Sequence, residues 1–433
     1  MDKDTLLAWD RAHVWHPFTP MRQWIESDPL VITEADGVRL RDADGRWYYD
    51  GVSSLWLNVH GHRVKEIDSA IRDQLDRVAH TTLLGLANEP SIVLAKRLAD
   101  LAPAGLTKVF YGGDGACAVE AAIKMAVQCH ANRGRPEKTF VLGFTGNYHG
   151  DTLGAVGVAK DESFHEAFGA LLPGHPKAPY PHCFRCPVGK DRADCGIACL
   201  SEVRAVVARE AHRLAAVIAE PVEGAGGIIP APEGWLRGVR EICDEHDVLL
   251  IVDEVATGLG RTGSLFACDE DGVSPDLLCL GKGLSGGYLP LSATLTTQAV
   301  FDAFTGEVEE GKTFFHGHSF TGNPLACAAG LASLDLLVDL LPSVAAKAAL
   351  VARALEPIAA LPIVDDVRQR GLMVGIELAG DRTGHEVTAL ARRRGMIIRP
   401  IGKVVIFLPP LASTDDELNE MLAILRDAFA EAG

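Results

Sequence analysis

Short apolar runs, each the length of a buried strand, recur through the middle of the chain. They cover 108–111, 139–143, 216–220, 248–253, 277–281 and 291–296. Stretches with apolar residues at helical spacing separate them. Such alternation predicts a mostly parallel sheet with helices on both faces. Upstream, 31–49 alternates apolar and polar positions around Ala35-Asp36-Gly37 and Ala43-Asp44-Gly45, and Asp-Gly between such runs predicts hairpins. Helices are predicted over 4–13, 64–79, 90–101 (with Ser91 as a cap) and 325–341. Beyond 342, helical stretches mix with short strands at 371–378, 396–399 and 404–407, the pattern of a smaller α+β unit. The expected division is an N-terminal segment, 1–59, packing with the small domain, a large domain, 60–328, and a C-terminal small domain, 329–433.

Composition narrows the class. With 433 residues, 48% of them hydrophobic, the chain can bury a substantial core. Its net charge of −17, with no basic run, argues against nucleic acid or an anionic membrane as partner. The first residues lack a basic stretch followed by an apolar one, and no uninterrupted apolar run suggests a membrane span. The ten cysteines are scattered, which fits a reducing cytoplasm better than a disulfide framework.

Candidate chemistry sits at the ends of the apolar runs. Asp253 and Lys282 close two of them. An acid and an amine there are costly unless each has a partner, and strand C-termini are where open α/β sheets form ligand crevices. A structural ion pair at a domain seam is one reading. Pyridoxal phosphate is the other: a lysine amine condenses with its aldehyde, and a carboxylate keeps its ring nitrogen protonated. Gly112-Gly113-Asp114-Gly115-Ala116 lies between a strand and a helix expected to start near Cys117, where backbone N–H groups and the helix N-terminus suit a phosphate. Tyr148 follows the next strand, either stacked on a flat ligand or as a surface turn residue. The stretch 50–62, with Trp56, suits a pocket wall, an interface or core. Cys183, Cys186, Cys195 and Cys199 share a Pro-rich insertion. Their spacing is tighter than in common zinc ribbons, so metal ligands and unpaired structural thiols both stay open.

Three motifs in order carry a resemblance: Glu220-Pro-Val-Glu-Gly-Ala-Gly-Gly, Val252-Asp-Glu-Val-Ala-Thr-Gly-Leu-Gly-Arg-Thr-Gly and Leu280-Gly-Lys-Gly-Leu-Ser-Gly-Gly. Together they resemble the class III pyridoxal-phosphate aminotransferases over nearly the whole chain. Trp15-His-Pro-Phe-Thr, Asp50-Gly-Val-Ser-Ser-Leu-Trp, Tyr148-His-Gly-Asp-Thr, His316-Gly-His-Ser-Phe-Thr-Gly-Asn and Ile398-Arg-Pro are similar to the branch that aminates 8-amino-7-oxononanoate in biotin biosynthesis.

The resemblance implies a fold-type I transferase with a mostly parallel seven-stranded sheet, acting on small molecules as a homodimer with shared active sites. It implies Lys282 as the lysine that bonds pyridoxal phosphate, Asp253 as the partner of its ring nitrogen, and Tyr148 as the residue stacked on the ring. Gly115 and Ala116 would hold the phosphate, with His318 and Ser319 reaching in from the second subunit. Phe18, Leu55, Trp56, Gly317 and Arg399 would line the substrate site together with Tyr148 and Lys282, Arg399 gripping a carboxylate; no metal is implied. The family has Gly-Ser where this chain has Gly115-Ala116, so one hydroxyl to the phosphate is missing. The branch's best-known form uses S-adenosylmethionine and has aromatic residues where this chain has Leu55 and Leu411 and a tyrosine at Phe18. That leaves S-adenosylmethionine and lysine both open as donor. The alternative is another class III aminotransferase, acting on ω-amino acids or diamines.

Overall fold

In a computed structural model, which describes residues 1–159 and 165–433, a seven-stranded sheet forms the centre. Its order is Leu106–Gly112, Ser292–Thr297, Leu277–Leu280, Leu249–Asp253, Leu214–Ala219, Phe140–Thr145, Lys177–Pro179. Ser292–Thr297 runs antiparallel to both neighbours, and the other pairs are parallel. All six apolar runs are strands. The seventh, Lys177–Pro179, lies at the sheet edge between prolines, where a missing N–H is tolerated; three residues carry no period to read.

Side-chain alternation divides the core between the two faces of this sheet. Ala216, Ile218, Leu249, Ile251, Leu277 and Cys279 pack with Ala118, Val119 and Ala122 of the helix Gly115–Asn132. Val217, Ala219, Leu250, Val252, Leu278 and Leu280 face the other way, with Trp235, Val239 and Ile242 of the helix Trp235–Glu245. Burial on both faces explains why these strands read as continuous apolar runs rather than alternating ones.

The N-terminal meander, Ile32–Asp36, Arg39–Asp42 and Trp47–Asp50, follows the two Asp-Gly turns, and its last strand pairs in parallel with Met396–Ile397. A second four-stranded sheet orders Val364–Arg370, Met373–Leu378, Val404–Phe407 and Arg399–Ile401. Val364–Arg370 escaped the sequence reading because Val-Asp-Asp-Val-Arg-Gln-Arg is too charged for a core strand. The helix Glu89–Leu101 is capped by Asn88, whose side chain accepts the Ser91 N–H, so Ser91 is not the cap. The helix predicted over 325–341 runs instead as Pro324–Ala359, with Pro342 inside it. By length and composition it is apolar enough to cross a membrane, although Asp335 and Asp339 interrupt the apolar sequence. Here it packs against the helices Lys65–Arg77, Glu89–Leu101 and Asp415–Ala432, burying Leu334, Leu337, Val344, Val351, Leu355 and Ile358.

Two buried charged groups join distant segments. The Arg261 guanidinium donates to Pro409 O at 2.5 Å, and to Asn58 O and Ser53 Oγ at 3.4 Å. Glu377 accepts from Arg368 Nη1 at 2.8 Å and from Arg185, which lies in the cysteine-bearing insertion. Arg368 also donates to Gly227 O at 3.0 Å and 3.2 Å. Burial pushes the Glu377 carboxyl up, but the hydrogen bonds from Arg185 and Arg368 outweigh it and hold the group at about 2. A depressed folded-state value means stabilisation that is complete above the ordinary carboxylate range and is lost as pH falls through the folded value. Glu377→Gln removes one of the two carboxylates that Arg368 Nη1 meets, leaving Asp366 Oδ2 at 2.8 Å as the other. It is expected to lower the unfolding free energy by roughly 1–3 kcal/mol in urea titrations. Wild-type stability is expected to fall between about pH 4.5 and pH 2 more steeply than that of the variant.

Candidate active site

Because five of the central strands share one direction with Leu106–Gly112, their C-terminal ends and the turns that follow gather along one edge. A cavity of about 720 Å³ opens there, large enough for a cofactor together with a small substrate. Leu55, Trp56, Gly115, Ala116, Tyr148, Asp253 and Lys282 all line it, and so do His149 and Glu220.

Asp253 is the last residue of Leu249–Asp253 and pairs in register with Cys279 of Leu277–Leu280. Three residues after Cys279 comes Lys282, so the parallel ladder brings acid and amine to the same edge. Asp253 is buried. Its Oδ1 accepts the Val255 N–H at 3.0 Å, and its Oδ2 is hydrogen-bonded to His149 Nδ1 at 2.7 Å. His149 Nε2 is buried with no hydrogen-bond partner among the described residues.

Lys282 opens a short 3₁₀ turn with φ at 40°. A left-handed lysine costs about 1–2 kcal/mol and persists only where its surroundings impose it. Burial lowers the Lys282 amine below its ordinary value, while the charges of Asp253 and Glu220 work in the opposite direction. Its Nζ lies 5.3 Å from the centre of the Trp56 ring. Trp56 belongs to a second strained stretch, in which Ser53, Ser54 and Trp56 all have positive φ. The Asp50 carboxylate holds that stretch by accepting the Ser54 N–H, and Ser53 Oγ donates to Leu408 O at 2.6 Å. The polar and apolar residues of 50–62 thus divide between backbone anchoring and cavity wall.

The helix Gly115–Asn132 begins at the cavity, two residues before the start expected near Cys117. Asp114 caps it by accepting the Cys117 N–H at 2.9 Å, and the first-turn N–H groups have no partner within the helix. A Cβ on Gly115 would stand 2.5 Å from Val255 Cγ1, so only glycine lets the helix start approach this wall. Across the cavity, the Tyr148 hydroxyl donates to Asp151 Oδ2 at 2.6 Å. Burial pushes this phenol well up, and the positive charge of Arg399 acts on it in the other direction.

The remaining candidates lie elsewhere on this chain. Arg399 is exposed, although near enough for its charge to act on Tyr148. Phe18 is exposed on the N-terminal segment. Gly317, His318 and Ser319 are exposed on the stretch before Pro324–Ala359, with the His318 ring 5.2 Å from that of His316. His149 and Glu220 escaped the reading of the sequence as site residues. His149 stood inside the quoted motif Tyr148-His-Gly-Asp-Thr and Glu220 at the head of another, but only the fold aims their side chains at the Asp253–Lys282 edge. The ten cysteines are free thiols. Cys183, Cys186, Cys195 and Cys199 line a separate cavity of about 20 Å³, and among the described residues no three His, Cys, Asp or Glu side chains are placed to hold a metal ion.

The chain belongs to the class III aminotransferases: the family model described as "Aminotransferase class-III" matches residues 22–429. Adenosylmethionine-8-amino-7-oxononanoate aminotransferase of Nitratidesulfovibrio vulgaris is 51% identical, covering 98% of this chain and 81% of the relative. The protein of the same name from Geobacter sulfurreducens is 50% identical over 96% of each. Among solved structures, the one so named from Methanocaldococcus jannaschii superposes with a TM-score of 0.95 at 42% identity, covering 99% of both chains. An (S)-enantioselective omega-transaminase from Thermomicrobium roseum gives 0.94 at 33% identity, covering 100% of this chain and 99% of that one.

Pyridoxal phosphate is the cofactor of this family, and the cavity's residues fit it: a lysine and an aspartate at adjacent strand ends, a helix N-terminus for the phosphate, and an aromatic side chain for the ring. Gly115→Ala is expected to force the helix start off Val255 and to weaken cofactor binding by the apoprotein about tenfold, as read by equilibrium titration.

Proposed function

We propose that this chain transfers an amino group to 8-amino-7-oxononanoate in biotin biosynthesis, taking it from S-adenosylmethionine or lysine. One observation carries the chemistry: Asp253 ends one strand and Lys282 opens the turn after the adjacent parallel strand, both at the wall of a single cavity. The substrate assignment is supported by the names of relatives 50–51% identical to this chain, against 33% for the omega-transaminase neighbour.

When bound, pyridoxal phosphate supplies an aldehyde carbon that carries the amino group between substrates and a ring that withdraws electrons from the reacting carbon. The first-turn N–H groups at Gly115 and Ala116 hold its phosphate, backbone groups serving where the family's serine hydroxyl is missing. Tyr148 would face the ring, and the Asp253 carboxylate, hydrogen-bonded to His149, would hold the proton on the ring nitrogen. Lys282 would anchor the cofactor, and its Nζ would move the proton at the donor's amine-bearing carbon. Burial suits it to that task, because a lowered pKa leaves more free amine near neutral pH. One cavity serving both half-reactions implies ping-pong kinetics.

Leu55 and Trp56 form the substrate side of the cavity; Phe18 would join them from the N-terminal segment, and Arg399 would hold the carboxylate of 8-amino-7-oxononanoate. The second copy of a homodimer brings Gly317, His318 and Ser319 to the cavity. The exposed Leu84, Phe315 and Phe320, each more than 60% accessible, support burial of that region against another chain. The division into 1–59, 60–328 and 329–433 describes the chain's functional parts, with the cytoplasm as the site of action.

Wild-type protein is expected to bind pyridoxal phosphate with a visible absorbance band and to retain it covalently after borohydride treatment; Lys282→Ala should retain none. Asp253→Asn is expected to slow the proton-transfer step by a factor equivalent to several kcal/mol, roughly that of other deletions of a preorganised electrostatic partner. Near-wild-type turnover would show that its role is misassigned.

Mixing the loaded enzyme with each donor alone tests the donor, because the true one bleaches the visible band before any acceptor is added. Bleaching by ω-amino acids or diamines, but by neither proposed donor, would favour the other class III reading. Arg399→Ala should raise KM for 8-amino-7-oxononanoate with little change in cofactor affinity.

A further inference from the structure

Glu220 is a buried carboxyl at the cavity wall, 4% exposed, and nothing in the chemistry above uses it. It follows the strand Leu214–Ala219, which lies beside Leu249–Asp253 in the interior of the sheet. Its two oxygens have separate partners. Oε2 accepts the Tyr148 N–H at 3.0 Å, and Oε1 accepts the Gly224 N–H at 3.2 Å. The first bond fixes the turn that presents Tyr148. The second fixes a turn on the opposite, substrate side, where a Cβ on Gly224 would stand 3.0 Å from Trp56 Cζ3. One carboxyl therefore spans two turns far apart in sequence, one carrying Tyr148 and the other supporting Trp56, both of which line the cavity.

We propose that Glu220 is a positioning residue of this site: through these two backbone N–H groups it sets the placement of the Tyr148 turn relative to the Gly224 turn beneath Trp56, and hence the gap into which cofactor ring and substrate fit. This inference rests on the function proposed above. A buried acid here is costly, and an apolar residue would satisfy a merely structural need for packing. The groups whose charges act on Glu220 are His149, Asp253 and Glu223, and Glu220 in turn acts on Lys282. Burial raises the Glu220 carboxyl above its ordinary value, while the charge of His149 and the hydrogen bond from the Tyr148 N–H oppose the rise. What it offers the site is two accepting oxygens in fixed places.

Two variants separate reach from charge. Glu220→Asp keeps the acid but is one carbon shorter. Glu220→Gln keeps the length but replaces one accepting oxygen with an NH₂ that faces a backbone N–H. Positioning through both bonds requires that each variant weaken pyridoxal phosphate binding by the apoprotein about tenfold. Each should also diminish the visible circular dichroism of the bound cofactor, which reports ring orientation and which a loss of global stability leaves unchanged in the folded fraction. In wild-type holoprotein the Tyr148 and Gly224 amides should exchange slowly with solvent, a reading available even if a variant does not fold. Wild-type affinity and dichroism in either variant, or rapid exchange at either amide, overturns the proposal. A wild-type protein that binds no pyridoxal phosphate would instead overturn the functional reading, whereas equal binding by wild type and both variants would remove only the role of Glu220.

Discussion

The parallel register between Leu249–Asp253 and Leu277–Leu280 is the constraint on which the site depends. Pairing Asp253 with Cys279 places the carboxylate at the edge where the next turn delivers Lys282. A slip of one residue would send Val252 to that edge and turn Asp253 into the helix-covered face. The two faces of the sheet prevent the slip, because Ile251 and Val252 are committed to opposite cores, each filled by its own helices. Positional precision at the cavity is thus supplied by hydrophobic burial some distance from it.

Charges collected at such an edge need compensation. Asp253 has a backbone N–H and His149, and Glu220 has two backbone N–H groups, while Lys282 lies in the field of both acids. The backbone carries part of the cost as well, in the left-handed φ of Lys282, Ser53, Ser54 and Trp56. Strain and buried charge concentrated at one cavity, and opposed by packing everywhere around it, are what a preorganised reaction site requires.

Outside the sheet, a few buried cations unite segments that the chain visits at different times. Arg261 reaches the stretch 53–58 and Pro409 together, and Arg368 joins the C-terminal sheet to Gly227 and, through Glu377, to the cysteine-bearing insertion. These links hold the stretch that carries Trp56 and the C-terminal sheet that carries Arg399 against the rest of the fold.

The sequence by itself determined the sheet's six main strands, since residues buried on both faces must be apolar throughout. It also marked the two Asp-Gly hairpin turns and the residues Asp253, Lys282, Tyr148 and Gly115, because a charge, a glycine or an aromatic ring at the end of an apolar run stands out against its neighbours. It did not reveal Lys177–Pro179 or Val364–Arg370, whose edge positions leave no apolar period, nor the continuation of the long helix beyond Pro342. Only the tertiary structure decided which side chains meet. His149 and Glu220 are ordinary polar residues in one dimension and become partners of the site because parallel strands carry them to one edge. Gly317, His318 and Ser319 read as site residues by resemblance, yet the fold of a single chain leaves them exposed, because which of its surfaces face one another is set by packing in three dimensions and not by spacing along the sequence.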